Sequence, residues 1–246
     1  MTAGGAGSFL SSAFLLRGIQ AREPAAVATV GAARGRLIGE LMEGLRFLVA
    51  PPLLRAMTLS SALGSVAVSI QGAVLILYAT TDLGISAALL GVVFASRGIA
   101  ALIRAWLAGR VGTRLGPGRA IIAGTLVGSV GAFAMALPSA SSAATVAVAV
   151  VGGQVLLGLG APIYSVNQLS LRQAITPDRL LGRVNAGRRF VVFGVAPLGA
   201  LAGGFLGEAL GLRAALLAGS LCMVGAVVAA IASPLRSSVQ PSTAAV

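Results

Sequence analysis

The sequence predicts an all-α membrane protein whose 246 residues cross a bilayer six times. Three observations carry that reading. The first is polarity: 57% of the residues are hydrophobic, only 10% are charged and the mean hydropathy is +0.97. So few charges cannot clothe a water-soluble fold of this length. The second is the length of the apolar runs, because a hydrocarbon core of about 30 Å takes about 20 residues of helix to cross. The third is where the arginines fall.

Taken in order, the chain opens with "SFLSSAFLL" (Ser8–Leu16), which is apolar but about half the length of a span. It reads as the stump of a preceding helix, an interfacial segment or a disordered leader. A signal peptide is a poor account of it, since no basic residue precedes Phe9 and the first is Arg17. Residues 1–52 are accordingly expected to be a helix stump followed by a cytoplasmic linker. Six spans follow: Leu53–Thr80, Ile85–Gly109, Ala120–Leu137, Ala143–Asn167, Phe190–Leu210 and Leu212–Ser233. The last two are joined by a tight turn at Gly211, and residues 234–246 form a cytoplasmic tail, read as disordered.

Arginine placement tests this count independently, because cytoplasmic loops concentrate Lys and Arg. All 18 basic residues are arginine. Six precede or open the first span (Arg17, Arg22, Arg34, Arg36, Arg46, Arg55), and three follow the second (Arg110, Arg114, Arg119). Five follow the fourth (Arg172, Arg179, Arg183, Arg188, Arg189), and Arg236 is in the tail. The opposite side has Arg213 alone, while Arg97 and Arg104 lie inside the second span. Fifteen against one predicts a multi-pass protein of the cell membrane with both termini cytoplasmic.

The richest island, residues 170–190, contains "TPDRLLGRV". Thr176 is placed as a helix N-cap, Pro177 at the first helical position and Asp178 in the first turn. The segment reads either as a short amphipathic helix on the membrane face or as a solvated basic linker.

Several function classes are poorly served. The net charge of +12 invites nucleic acid, yet aromatic stacking residues are scarce, so no nucleic-acid partner is expected. Cys222 is the only thiol and sits in an apolar run, where a small buried hydrophobe is the expected role. Histidine is absent, which removes the usual general base and the commonest metal ligand. No catalytic residues, no metal and no cofactor are expected, and the protein is not read as an enzyme.

Three stretches resemble a known family. "GRVGTRLGPGR" (Gly109–Arg119) resembles the loop signature of the major facilitator superfamily (MFS), with Gly109, Arg114, Gly116 and Arg119 matching and Thr113 standing where that signature has an acid. "NQLSLRQAITPDRLLGRVNA" (Asn167–Ala186) and "GVAPLGALAGGFLGEALGLR" (Gly194–Arg213) resemble the drug- and siderophore-efflux branch, the enterobactin-exporter-like and macrolide-efflux-like proteins. "SFLSSAFLLR" followed by "GELMEGLRFL" is similar to the way those proteins leave a sixth helix for a central linker. The resemblance implies one MFS-type bundle, the C-terminal six-helix half of a secondary transporter that exports a drug-like or secondary-metabolite substrate, siderophores included, by alternating access. It also implies proton coupling, hence antiport. The alternative is a truncated, non-transporting membrane protein, or a half-subunit that needs a separate N-terminal half. The expected partners are the lipid bilayer, a small-molecule substrate, and either an N-terminal six-helix half or a second copy of the chain.

Ionisable and polar residues inside the spans are the candidates for the substrate pathway. Arg97 falls near the midplane, unless the boundary of its span is misplaced, and Arg104 lies close enough to the border to snorkel. The acids Glu23, Glu40, Glu43, Asp82, Asp178 and Glu208 are read as lying outside the spans, so a carboxylate partner for Arg97 would belong to the substrate or to another bundle. Gln71 and Gln154 are the other mid-span polar groups; the resemblance places their helices around a central cavity, and helix-to-helix hydrogen bonding is the competing role. Tyr164 and Asn167, with Gln168 beside them, sit nearer the cytoplasmic mouth. Tyr78 and Trp106 are expected as interfacial anchors. Gly194, Pro197, Gly199, Gly203 and Gly204 share a span at roughly helical-face spacing, and Pro162 repeats the theme in the fourth; close packing and helix bending are both open for them.

Overall fold

The computed structural model describes residues 33–138, 143–233 and 235, except the side chains of 33–37, 97–99, 101–108 and 143. The chain divides into two compact units, residues 1–38 and 39–246. All packing discussed below belongs to the second. "SFLSSAFLL" and the tail beyond Leu235 lie outside the described residues.

Every described element is helical. A linker helix, α1 (Ala33–Val49), precedes six long ones: α2 (Pro52–Leu77), α3 (Ala87–Leu115), α4 (Pro117–Ala136), α5 (Ala143–Ile175), α6 (Leu181–Leu210) and α7 (Leu212–Ile231). Lipid cannot satisfy a bare backbone, so apolar segments of this length close their hydrogen bonds internally as helix. Prolines mark the starts: Pro52 and Pro117 occupy the first helical position, where a missing N–H costs nothing. Glycines mark the joints. Gly116 (φ 78°) is the whole connection between α3 and α4, and Gly211 (φ 91°) the whole connection between α6 and α7. Side chains rarely adopt such angles.

Five of the described helices are long and apolar enough to cross a membrane: α2 with its terminal π turn (Tyr78–Asp82), α4, α5, α6 with the 3₁₀ turn before it, and α7. In α3 the described apolar stretch is Ala87–Ser96. The chain is therefore an all-α, multi-pass membrane protein.

Two helices, α5 and α6, clearly outrun the apolar runs that predict them. At 33 residues α5 is about 50 Å long, well beyond about 30 Å of hydrocarbon. It continues past Asn167 to Ile175, and α6 begins at Leu181 rather than Phe190. Hydropathy marks where a helix enters lipid, not where its hydrogen bonding starts. The separate amphipathic helix expected at 176–184 is therefore absent. Pro177, with ψ 140°, stays extended, a single 3₁₀ turn (Asp178–Leu180) follows, and Arg183 already belongs to α6. Thr176 caps nothing; its buried Oγ1 has no partner. Glu208, read as outside the spans, lies exposed in the last turn of α6.

Neighbouring helices run α6–α2–α7–α4–α5–α3, the α4–α5 and α2–α7 pairs being the most extensive. Small residues set the close approaches. A Cβ on Gly131 would lie 2.6 Å from the carbonyl oxygen of Gly153, and one on Gly203 would lie 2.9 Å from the Cα of Ile70. In lipid, where apolar attraction between helices is weak, such contacts carry association. Leu54, Met57, Ile121, Leu171 and Ala230 form a buried cluster at the arginine-rich end. Ala79, Ile85, Val93, Val146 and Val150 close the opposite end.

At that opposite end Tyr78 is only 2% exposed, and its hydroxyl donates to the Pro138 carbonyl. It fastens the end of α2 to the chain after α4, and so is not the interfacial anchor expected of it. The lone Arg213 also fastens this end: its Nε and Nη2 donate to the carbonyls of Ala136 and Leu137, each at 3.1 Å. They satisfy orphan acceptors at the end of α4. At the arginine-rich end, α1 lies against the start of α6, with Leu48, Leu180 and Val184 buried together.

Candidate functional site

A cavity of about 420 Å3 is walled by five helices, α2, α4, α5, α6 and α7. Four serines of α2 face it, Ser60, Ser61, Ser65 and Ser69. Positions 61, 65 and 69 recur every fourth residue, so one helix face carries them. Thr125 of α4, Tyr164 of α5 and Arg188 of α6 complete the polar lining, with Val68, Leu157, Phe193 and Met223 among the apolar walls.

One side of the cavity is a hydrogen-bonded cluster. Ser61 Oγ and Tyr164 Oη are 2.7 Å apart, and Gln168 Nε2 donates to Tyr164 Oη at 3.0 Å and to Ser61 Oγ. Ser61 also donates to the Met57 carbonyl one turn back at 2.8 Å. This joins α2 to α5 while leaving the tyrosine ring on the cavity wall. Ser65 Oγ donates to the Val192 carbonyl at 2.7 Å, tying α2 to α6 one turn before Pro197. Proline has no N–H, so the Phe193 carbonyl loses its usual donor and α6 is weakened there. Ser60 Oγ is buried on the cavity with no partner.

Gln71 and Gln154 meet in a second cavity of about 130 Å3, which shares Val68 and Leu157 with the first. They are 4% and 1% exposed, and Gln71 Nε2 and Gln154 Oε1 both lack partners. A buried donor and a buried acceptor thus line one small space beside the larger one.

The other candidates are distributed unevenly. Tyr164 lines the main cavity, but Asn167 does not: it is buried, donates to the Ile163 carbonyl at 2.8 Å and presses against Gly112 of α3. Three residues separate the two along α5, enough to turn them toward different neighbours. Gly199 and Gly203 pack on the backbone of α2 at Val66 and Ile70, whereas Gly194, Pro197 and Gly204 are exposed, with open space around both glycines. Five residues of the span cannot share one face; the 199/203 pair is the packing face. Pro162 lies within α5, two residues before Tyr164. Gly109, Arg114 and Arg119 are exposed around the one-residue joint at Gly116, and Thr113 donates to the Arg110 carbonyl of its own helix at 3.0 Å. The side chains of Arg97, Arg104 and Trp106 lie outside the described residues.

Arg188 is the cavity residue that hydropathy conceals. It reads as a loop arginine only because α6 is expected to start at Phe190; the two turns of α6 before that residue carry it down to the cavity. The serine face of α2 goes unread because each serine is weakly polar; its four-residue spacing is the signal that could have found it.

The family model described as Major Facilitator Superfamily matches residues 57–245. No curated protein matches the chain.

Proposed function

The chain belongs to the Major Facilitator Superfamily, and from that membership we propose that this membrane transporter exports a drug-like or secondary-metabolite substrate, siderophores included, by alternating access. The observation that carries the reading is the 420 Å3 cavity, an apolar chamber with a few converging polar groups. Such a lining suits a lipophilic molecule bearing scattered hydrogen-bonding groups. Ser60, Ser61, Thr125 and Tyr164 would orient it, and Arg188 would favour a negative or electron-rich end. Export rather than uptake rests on the resemblance of 167–186 and 194–213 to efflux proteins. Pro162 and Pro197 weaken α5 and α6 beside the cavity, where a rocking bundle has to yield.

The arginine asymmetry supports a cell-membrane location with the arginine-rich end in the cytoplasm. No carboxylate lines this cavity, so in an antiporter the proton-carrying acid would come from a second bundle. One further observation favours such a bundle. Only 17% of the spanning window of α6 is buried, against 39% to 56% for the other four, and Phe190, Phe193, Leu201 and Phe205 stand exposed along it. An N-terminal six-helix half or a second copy of the chain would cover that stripe, which keeps a half-subunit dependent on a partner as the second reading.

The test uses the full chain carrying Cys222→Ala and Ser65→Cys in sealed vesicles of both orientations. Alternating access requires a membrane-impermeant maleimide to reach Cys at position 65 from either side, with the ratio shifted by a transported compound. Labelling from neither side would contradict it.

A further inference from the structure

A third cavity, of about 620 Å3, opens between the last turns of α5 and the first turns of α6. These two helices are joined by the short turn at 176–180 yet scarcely touch along their length, so a cleft remains between them. Its polar lining sets three cations, Arg172 from α5 with Arg188 and Arg189 from α6, among the neutral Ser165, Gln168 and Asn185. Arg172 is 5% exposed, and its Nη1 is buried without a partner. Arg188 Nε is likewise buried without a partner. Both residues line the one cleft.

No carboxylate lines the cleft. Two of the described acids on this side, Glu40 and Glu43, are engaged by Arg183, and Asp178 is exposed. Burying guanidinium N–H groups with no acceptor and no carboxylate beside them is costly, and planar N–H forks of this kind match phosphate oxygens. The outer rim is apolar: Val166 and Leu169 line the cleft and are 43% and 42% exposed. Cationic depth and an apolar rim, at the arginine-rich end of a membrane bundle, match a phosphate that carries acyl chains.

We propose that this cleft binds the phosphate of an anionic phospholipid headgroup, with Arg172 and Arg188 as its ligands, Arg189 at the rim, and the acyl chains leaving over Val166 and Leu169. A free phosphate ion presents the same oxygens, and the experiment separates the two sources. The cleft shares Arg188 with the transport cavity, so Arg172, which does not line that cavity, is the residue on which the site is tested.

The purified full chain in dodecyl maltoside is titrated with dioleoyl phosphatidylglycerol, with dioleoyl phosphatidylcholine and with inorganic phosphate, following the melting temperature. Phosphatidylglycerol is expected to raise it saturably and phosphatidylcholine to leave it unchanged. Arg172→Gln should weaken the half-saturating concentration about tenfold or more, the loss of one charge-assisted contact, whereas Arg119→Gln should titrate as the parent does. Stabilisation by inorganic phosphate with the same dependence on Arg172 would support the phosphate site and assign it to the free ion. If phosphatidylglycerol and phosphate act no differently from phosphatidylcholine, or if Arg172→Gln titrates like the parent, the proposal is overturned. Should Arg172→Gln fail to fold, Arg188→Gln replaces it in the same titration: weakened binding supports the site, and parent-like binding overturns it.

Discussion

Gly124 of α4 and Gly160 of α5 meet backbone to backbone: a Cβ on Gly124 would stand 2.8 Å from the carbonyl oxygen of Gly160 and 2.6 Å from the amide nitrogen of Tyr164. Rigid backbone, not a flexible side-chain tip, would have to move. Gly124→Ala should therefore destabilise the bundle by about 1–3 kcal/mol, lowering the melting temperature in detergent by several degrees. Gly152→Ala on α5, where a Cβ meets nothing within 4 Å, is the control and should be neutral or slightly stabilising.

Tyr164→Phe removes the hydroxyl shared by Ser61 and Gln168 but keeps the ring on the cavity wall. The expected loss of stability is about 1 kcal/mol, because Gln168 keeps its bonds to Ser61 and to the Met57 carbonyl. Transport should suffer more than folding. Membrane abundance stays near that of the parent while the rate of substrate movement in vesicles falls, and an unchanged rate would remove Tyr164 from the pathway.

The docking of α1 separates charge from shape. Arg183 bonds Glu43 and reaches Glu40 at 3.4 Å, but all three side chains are 33% to 43% exposed, so Glu43→Gln should cost no more than about 1 kcal/mol. Gly44 is different: a Cβ there would collide with the Arg183 carbonyl. In a Cys222→Ala background, Leu48→Cys should react slowly with a maleimide, since that position is 1% exposed. Adding Gly44→Leu should make it react quickly, whereas adding Glu43→Gln should not.

At the opposite end, Arg213→Gln deprives the Ala136 and Leu137 carbonyls of their donors. The contact is part-exposed, so the cost should be about 1 kcal/mol, or about 2–4 °C in melting temperature for a chain of this size. Insertion should be unaffected, because the variant removes the one arginine that opposes the charge asymmetry.

The sequence reading places Arg97 near the midplane, and on that expectation Arg97→Ala should leave membrane insertion intact and abolish transport by the complete assembly. The pair of measurements is membrane abundance and substrate flux; unchanged flux takes Arg97 out of the mechanism.

The sequence makes the architecture legible because the bilayer imposes a length and a polarity, and Leu53–Thr80 or Leu212–Ser233 can be matched to both by inspection. It does not show helical ends, since the first turns of α6 around Gly182 and Asn185 are too polar to read as a span yet are held in helix by their own backbone bonds. Arg188 is hidden by that displacement, and the cleft beside Arg172 by it together with the extension of α5 to Ile175. Gln71 and Gln154 are legible as polar groups in apolar runs, but their meeting in one cavity depends on rotation about the helix axes, which spacing within a single helix does not set. The same holds for glycines: Gly124 and Gly160 carry a helix contact, Gly194 and Gly204 do not, and only the neighbour tells them apart.

The clasp between α1 and α6 also has a history. Arg183 follows Glu43 by 140 residues. At ribosomal speeds of about 5–20 residues per second, α1 waits roughly 7–28 s for the surface it will lie on. Four long helices are made in that interval, so the helix synthesised before them can dock only after all four have left the ribosome's active site.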